Sequence, residues 1–358
     1  MNKNENIIGI DYTKAFAIVT VLILHLNLPE IYDKRIFSHV YTEIGVPIFM
    51  IITGHNYILS NYKNNLNWLS RDNLSKKLKR IIIPYIYILI FEIIFIFIKS
   101  NFIRYDFSQY REIKAILSLL IFKGGIGPGS YYPPVLIQIV LIYFPLLLIY
   151  NKYLDKLIKN KYKAIISLFF IFIIEVIYEI IIDYIGNIYN KETVDSFYRI
   201  SALRYIPFLQ LGIILFYNKE KILKNFKLLL PLSIGGVMYT YLTYYKNIII
   251  PPFYNWRQVA TPTMFYALFF IYIGLKYFNN FNKSFFRKMI VIVGKATYHI
   301  FLIQLIYYGM FRIKKFDNIY FIAHIFICLL GGIIFYYIEP KITKKIGLSI
   351  KKFFLLIK

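Results

Sequence analysis

This chain of 358 residues has a single cysteine, Cys328. An internal disulfide is therefore excluded, and with no Cys/His cluster at ligand spacing a metal site has no support. Acidic residues are also scarce, with 18 Asp and Glu against 43 Lys and Arg, for a formal net charge of +25. No G-x-x-x-x-G-K-[ST] loop and no G-x-S-x-G elbow occurs, so ATP-driven transport and serine-hydrolase chemistry both lose support. No small-residue cleavage site follows the first apolar segment, which reads as a retained helix rather than a signal peptide. No loop is long enough to fold as a separate soluble domain, so residues 1–358 read as one membrane-embedded domain.

Apolar residues make up 58% of the chain, 20% is aromatic, and the mean hydropathy is +0.56. They fall in blocks about as long as a hydrocarbon core is thick. Charged residues and Pro/Gly punctuation separate ten such blocks, at about 7–28, 43–60, 81–98, 131–150, 164–182, 202–217, 228–245, 262–278, 289–308 and 319–338. The fold class predicted is all-α, a polytopic membrane protein of about ten transmembrane helices. Cytoplasmic loops carry an excess of Lys and Arg. With the N-terminus inside, the loops on its side are Tyr62 to Arg80, Asn151 to Lys163, Asn218 to Lys227, Lys276 to Lys288 and the tail from Glu339 to Lys358. Together they hold 25 of the 43 Lys and Arg residues. The asymmetry places both termini in the cytoplasm of a multi-pass protein of the cell membrane. It also assigns most of the positive charge to topology and contact with the lipid bilayer, with no nucleic acid as partner.

Two residues in the first apolar block do not belong in lipid. Lys14 and His25 are eleven positions apart, three helical turns plus about 20°, so they share one face about 16 Å apart along the axis. A cation in a spanning helix costs roughly 2.5 to 3.5 kcal/mol on insertion scales, so this face points into a protein interior or a wet cavity. Asp11 lies three residues before Lys14 at the cytoplasmic end of the helix, where a carboxylate favours the positive dipole. Capping and a functional role beside Lys14 both explain it.

Five motifs follow in order. Ile10-Asp11-Tyr12-Thr13-Lys14-Ala15 leads into a helix ending Leu24-His25, and the second block reads Gly45-Val46-Pro47-Ile48-Phe49-Met50-Ile51-Ile52-Thr53-Gly54-His55. A basic run, Lys76-Lys77-Leu78-Lys79-Arg80, enters Ile81-Ile82-Ile83-Pro84-Tyr85. Later come Arg204-Tyr205-Ile206-Pro207-Phe208-Leu209-Gln210-Leu211-Gly212 and Gly294-Lys295-Ala296-Thr297-Tyr298-His299-Ile300-Phe301-Leu302-Ile303-Gln304. This series resembles the integral-membrane acyltransferase family three, over nearly the whole chain.

The resemblance implies transfer of an acyl group, commonly acetyl, from a cytoplasmic acyl-CoA to a hydroxyl of a cell-surface carbohydrate or a small molecule. It brings with it O-acetylation of a cell-envelope polysaccharide or its precursor, with acyl-CoA as donor substrate rather than a tightly bound cofactor. The family's basic residue, ten-residue gap and histidine fall on Lys14 and His25. Its aromatic-x-x-Ser-Gly turn falls on Phe49 to Gly54, and its basic run before Pro-Tyr on Lys76 to Tyr85. Three positions depart from the pattern. Lys14 stands for the usual arginine and loses the planar fork that grips carboxylate or phosphate. Thr53 replaces serine and keeps the hydroxyl. Gln304 stands where many members carry histidine, leaving only amide hydrogen bonding.

The chemistry of the residues agrees with this. A sugar hydroxyl attacking a thioester must lose its proton, and histidine suits that task near neutral pH. His25 is thus the expected base, with Lys14 and Asp11 beside it. Lys14, Lys76, Lys77 and Arg80 lie near the cytoplasmic face, where the phosphates of acyl-CoA would be drawn; the basic run also serves as a positive-inside anchor. Thr53, Gly54, Tyr131, Tyr132, Gln138 and Gln304 are candidate substrate contacts. His55 and Asn56 read as helix-end polar residues.

The stretch Lys123-Gly124-Gly125-Ile126-Gly127-Pro128-Gly129-Ser130-Tyr131-Tyr132-Pro133-Pro134 has four glycines and three prolines. Regular helix is forbidden there, and irregular backbone at membrane depth requires burial in protein or a cavity to line. A substrate-lining re-entrant turn and a structured outer loop both fit. Tyr131 and Tyr132 either stack on a sugar or belong to an interfacial belt. Glu92, Glu175, Glu179, Arg204, Gln210, His299 and His324 are the other intramembrane polar residues. Glu175 and Glu179, one turn apart, admit a pairing role or a proton relay, and Arg204 and His299 are expected to snorkel from span ends. A polysaccharide or small-molecule transporter is the competing reading. A non-enzymatic scaffold leaves Lys14 and His25 unexplained.

Overall fold

The computed structural model describes residues 8–26, 38–64, 71–102, 124–157, 162–189, 191–224, 226–248, 261–278, 285–310 and 318–356. Ile7, Asn27, Leu28 and Lys123, which the sequence reading used, lie outside the described residues, as do parts of most loops. Among those described there is no strand. The α-helices are α1 (Ile8–His25), α2 (Ser38–Thr42), α3 (Gly45–Asn64), α4 (Arg71–Phe102), α5 (Tyr132–Gln138), α6 (Phe144–Leu157) and α7 (Lys163–Ile188). They continue as α8 (Lys191–Ile200), α9 (Ile206–Lys224), α10 (Phe226–Tyr245), α11 (Thr263–Tyr277), α12 (Phe285–Met310) and α13 (Asn318–Leu356).

Each of the ten expected spans holds one long helix, with α5 and α6 joined into a single rod by a π-helical segment, Ile139–Tyr143. Among the described residues, five of the rods are long and apolar enough to cross a membrane: α1, the α5–α6 rod, α7, α12 and α13. The protein is an all-α polytopic membrane protein. Consistent with this, α7 presents Ile165, Phe169, Phe170, Ile173, Ile174, Ile177, Ile180 and Ile181 outward, an apolar band too continuous for a water-facing surface.

Two boundaries differ from the sequence reading. Helix α4 starts at Arg71, so the basic run Lys76–Arg80 forms its first turns instead of a loop, and α13 runs past Pro340 to Leu356. Lys, Arg and Leu are good helix formers, and hydropathy is blind to helix that protrudes from the bilayer. The π segment has a local cause. Pro145 has no N–H to donate, and just before it the Phe144 N–H bonds to Ile139 O, five residues back.

Lipid gives apolar side chains little reason to leave it for one another, so helices associate by close packing and interhelical hydrogen bonds. Helix α1 sits among α3, α11, α12 and α13. A Cβ on Gly294 of α12 would overlap the Asp11 carbonyl, and one on Gly274 of α11 the Thr13 hydroxyl. Likewise Gly54 of α3 lies on the Leu209 carbonyl of α9, and Gly212 of α9 on the Ile51 carbonyl of α3. These contacts set α11 and α12 against α1 and α9 against α3, and Gly45 of α3, whose Cβ would meet Val21, the Thr20 hydroxyl and the Ala17 carbonyl, brings α3 against α1. A reciprocal amide pair adds to them: Gln210 and Asn151 exchange Nε2 to Oδ1 and Nδ2 to Oε1 bonds, each 2.9 Å, and Gln210 Nε2 also reaches Ser167 Oγ at 3.1 Å.

Candidate active site

A cavity of about 300 Å³ opens between α1, α3, α4, the 124–131 turn, α5 and α12. From α1 it is lined by Lys14, Val21 and His25, so the shared face expected from their spacing is the face that meets the cavity. From α3 come Phe49, Ile52, Thr53 and Asn56, at offsets of three, four and seven from the first. Arg80 and Ile81 close it on α4, Gly129, Tyr131, Tyr132 and Leu136 on the turn and α5, and Thr297, Tyr298 and Phe301 on α12.

Lys14 Nζ is 2.7 Å from Asp11 Oδ1. Asp11 itself does not line the cavity; it holds the ammonium in place one turn below. The Thr53 hydroxyl donates to Phe49 O at 2.6 Å, which leaves its oxygen lone pairs for an acceptor role. Asn56 Oδ1 is engaged at 3.2 Å by His55 Nδ1, so the amide nitrogen is the part of Asn56 that remains to donate. The sequence reading passed over Asn56 as a helix-end residue. Its place on the stripe of Phe49, Ile52 and Thr53 was the available signal.

At the far end, His25 is the last residue of α1. Gln304 lies beside its imidazole and is fully buried. Its Nε2 donates to Pro128 O at 3.0 Å. His25 Nδ1 and Gln304 Oε1 are buried and, among the described residues, without a well-formed hydrogen bond. The glycine turn closes over the ring. Gly129 has φ +82°, and a Cβ there would lie 3.0 Å from His25 Cε1, so only glycine lets backbone come this near.

That turn is built into the protein rather than projecting as an outer loop. Tyr85 Oη donates to Gly124 O at 2.6 Å, and the Ile126 N–H donates to Glu92 Oε2 at 3.3 Å. A Cβ on Gly127 would overlap the Leu305 carbonyl of α12. Of the two readings of the stretch, the lining one describes the geometry, since Gly129, Tyr131 and Tyr132 all face the cavity.

Besides Asp11, four expected site residues stand away from the cavity. Lys76 is exposed, away from the cavity. Lys77 Nζ sits 3.3 Å from the Tyr57 ring centroid, a cation–π contact that tethers α4 to α3. Burial, with the Arg80 charge next to it, brings its ammonium down to about 8. Gly54 is spent on the approach of α9. Gln138 is a clamp, its Nε2 donating to Ile200 O at 2.9 Å and its Oε1 accepting from the Ala202 N–H at 3.2 Å. Only Arg80 of the basic run reaches the cavity, and Gln304 supports the wall from behind.

One end of the cavity is thus cationic, with Lys14 and Arg80. The other carries an imidazole, and Thr53 and Asn56 lie toward the cationic end because α3 runs antiparallel to α1 from Gly45, which packs on Ala17, Thr20 and Val21. Residues 7–338 match the family described as an acyltransferase domain, acyltransferase family 3. The chain belongs to that family. No curated protein and no solved structure matches it. Membership makes the chain an integral-membrane acyltransferase, and residues of three of the motifs read from the sequence, Lys14 and His25, Phe49 to Thr53, and Arg80 and Ile81, line the cavity.

Proposed function

We propose that this acyltransferase moves an acetyl group from acetyl-CoA to a hydroxyl of a cell-surface polysaccharide or its precursor, in the cytoplasmic membrane, with His25 as general base. What supports this most is the single cavity that has Lys14 and Arg80 at one end and His25 at the other. Its volume is at the low end for ligand sites, which run from about 300 to 1,000 Å³. It therefore suits a thioester arm or one sugar ring, and the donor's nucleotide stays at the Arg80 mouth, where charge-assisted contacts meet phosphate. Lys76 and Lys77 contribute field there rather than contacts.

In this reading His25 Nε2 takes the acceptor hydroxyl proton as the oxygen attacks the thioester carbonyl carbon. The C–S bond then breaks, the acyl group stays on the sugar oxygen, and the imidazolium returns the proton to the departing CoA sulfur. His25 Nδ1 and Gln304 Oε1, adjacent and each without a partner among the described residues, are the pair whose closure in the complex would leave the lone pair on Nε2 and fix the ring's orientation. Asn56 lies toward the Lys14 end, three turns beyond Gly45, and is a contact for the donor there rather than for the reacting carbonyl. Tyr131 and Tyr132 supply faces for the sugar.

The test is transfer by the purified full chain. With acetyl-CoA labelled in the acetyl group and envelope polysaccharide as acceptor, label should appear on the glycan as an alkali-labile ester with stoichiometric CoA release. Saturable sugar flux in proteoliposomes without CoA release from any acyl-CoA would instead establish the transporter, in which Glu175 and Glu179 would carry the chemistry.

A further inference from the structure

Arg204 is placed in a way that neither the motif nor the reaction accounts for. It precedes α9 on a short 3-10 turn, Leu203–Tyr205. Near the end of an apolar block it was expected to snorkel, yet it is only 1% exposed. Three tyrosines enclose it: its Cζ lies 4.6 Å from the Tyr205 ring centroid, 4.9 Å from that of Tyr198 and 5.4 Å from that of Tyr131. Nη2 donates to the Tyr205 hydroxyl. Nε and Nη1 are buried and, among the described residues, have no hydrogen-bond partner.

No described carboxylate lies within ion-pairing distance of the guanidinium. Glu179 and Glu43 feel its field, but the Glu179 carboxylate is engaged at 2.6 Å by the Tyr198 hydroxyl, and Glu43 pairs with His39 at 3.5 Å. Leaving two donors of a buried cation unmade is costly. Nη2 carries a second hydrogen that Tyr205 does not take, and it shares an edge with one of the two open nitrogens; that pair is the fork that grips a carboxylate or phosphate with two parallel bonds. Its position is rigid, because the Gln138 clamp on Ile200 and Ala202 holds the segment leading into the turn.

Tyr131 belongs both to this cage and to the wall of the candidate active site. We propose that Arg204 is the recognition point for an oxyanion carried by the acceptor, reached from the cavity when the Tyr131 ring swings aside, so that the acceptor is an acidic saccharide. The inference deepens the acceptor side of the proposed function and rests on it for the word acceptor. The oxyanion is the carboxylate of a uronic acid or the phosphate of an activated or lipid-linked sugar.

Saturation-transfer NMR on the full chain in detergent, with CoA present to occupy the Lys14 and Arg80 end, separates these. The probes are glucuronate, glucose 1-phosphate and glucose. At least one anionic sugar should bind about tenfold or more tightly than glucose, a difference of about 1.4 kcal/mol, and which one does so identifies the anion. Arg204→Gln should erase the preference. Arg204→Lys, which keeps the buried charge should the glutamine variant not fold, should reduce it several-fold because the fork is lost. Equal binding of all three sugars to the parent chain, or an undiminished preference in Arg204→Lys or Arg204→Gln, overturns the proposal. Acetyl-CoA turnover is measured separately, so an anion preference without acyl transfer would sink the donor reading and leave this site standing.

Discussion

Replacing His25 by glutamine separates a catalytic imidazole from a structural one. Glutamine keeps polar atoms at the end of α1 and fills much of the same space under Gly129, whose Cα leaves no room for a larger group. It also keeps a partner for Gln304. What it cannot do is accept a proton. A general base contributes about 10² to 10⁴ in rate, which is about 2.7 to 5.5 kcal/mol of barrier. The expected loss in kcat is of that size, while the affinity for acetyl-CoA, set at the other end of the cavity, stays at the parental value. CoA release is followed with a thiol reagent, and the protein's single thiol adds little background because Cys328 is fully buried. A kcat within tenfold of the parent, with the helical content unchanged, would refute the assignment of His25 as base.

Lys14→Ala and Arg80→Ala should weaken acetyl-CoA binding by about 1.5 to 3 kcal/mol where a charge-assisted phosphate contact is lost, read by calorimetric titration. The Arg80 effect should fall at the low end or below it, because that side chain is exposed and screened; unchanged donor affinity in both variants would leave the basic residues as topology anchors. After Cys328→Ser, cysteines introduced at Tyr189 or Ile248 should react with an impermeant reagent in intact cells, and those at Lys152 or Lys221 should not. The reverse pattern would invert the membrane orientation.

The helical segments were readable because the bilayer demands a run of about twenty apolar residues wherever the chain crosses. The Lys14 and His25 face was readable for a related reason, since the 3.6-residue period turns a separation of eleven into a shared direction, and both side chains line one cavity. Helix beyond the bilayer left no such mark, and so Arg71 to Arg80 was taken for loop. Arg204 was misread for a different reason. Its surroundings come from Tyr131 on the turn and Tyr198 on α8, 67 positions apart and unmarked by any period. Snorkelling needs a lipid-facing position, and Arg204 through Ile213 are buried without a gap.

The departures from the family pattern gain meaning once they are placed. Gln304 stands where many members carry histidine, and it lies beside His25, so this cavity is lined by one imidazole. An amide at that position can orient the neighbouring ring but cannot exchange a proton with it. Proton transfer in the proposed reaction therefore passes through His25 alone, and the same group must take the proton from the acceptor and return it to CoA. The attacking oxygen and the leaving sulfur then have to lie on the same side of one ring, within reach of one nitrogen. A cavity of about 300 Å³, closed over the imidazole by Gly129 packed against Phe301, enforces that closeness. Lys14 in place of arginine fits the same economy. Its single ammonium is already held by Asp11 at 2.7 Å, so in the proposed reaction it offers the donor a fixed point charge, and among the described residues Arg80 at the mouth is the only guanidinium in the cavity wall.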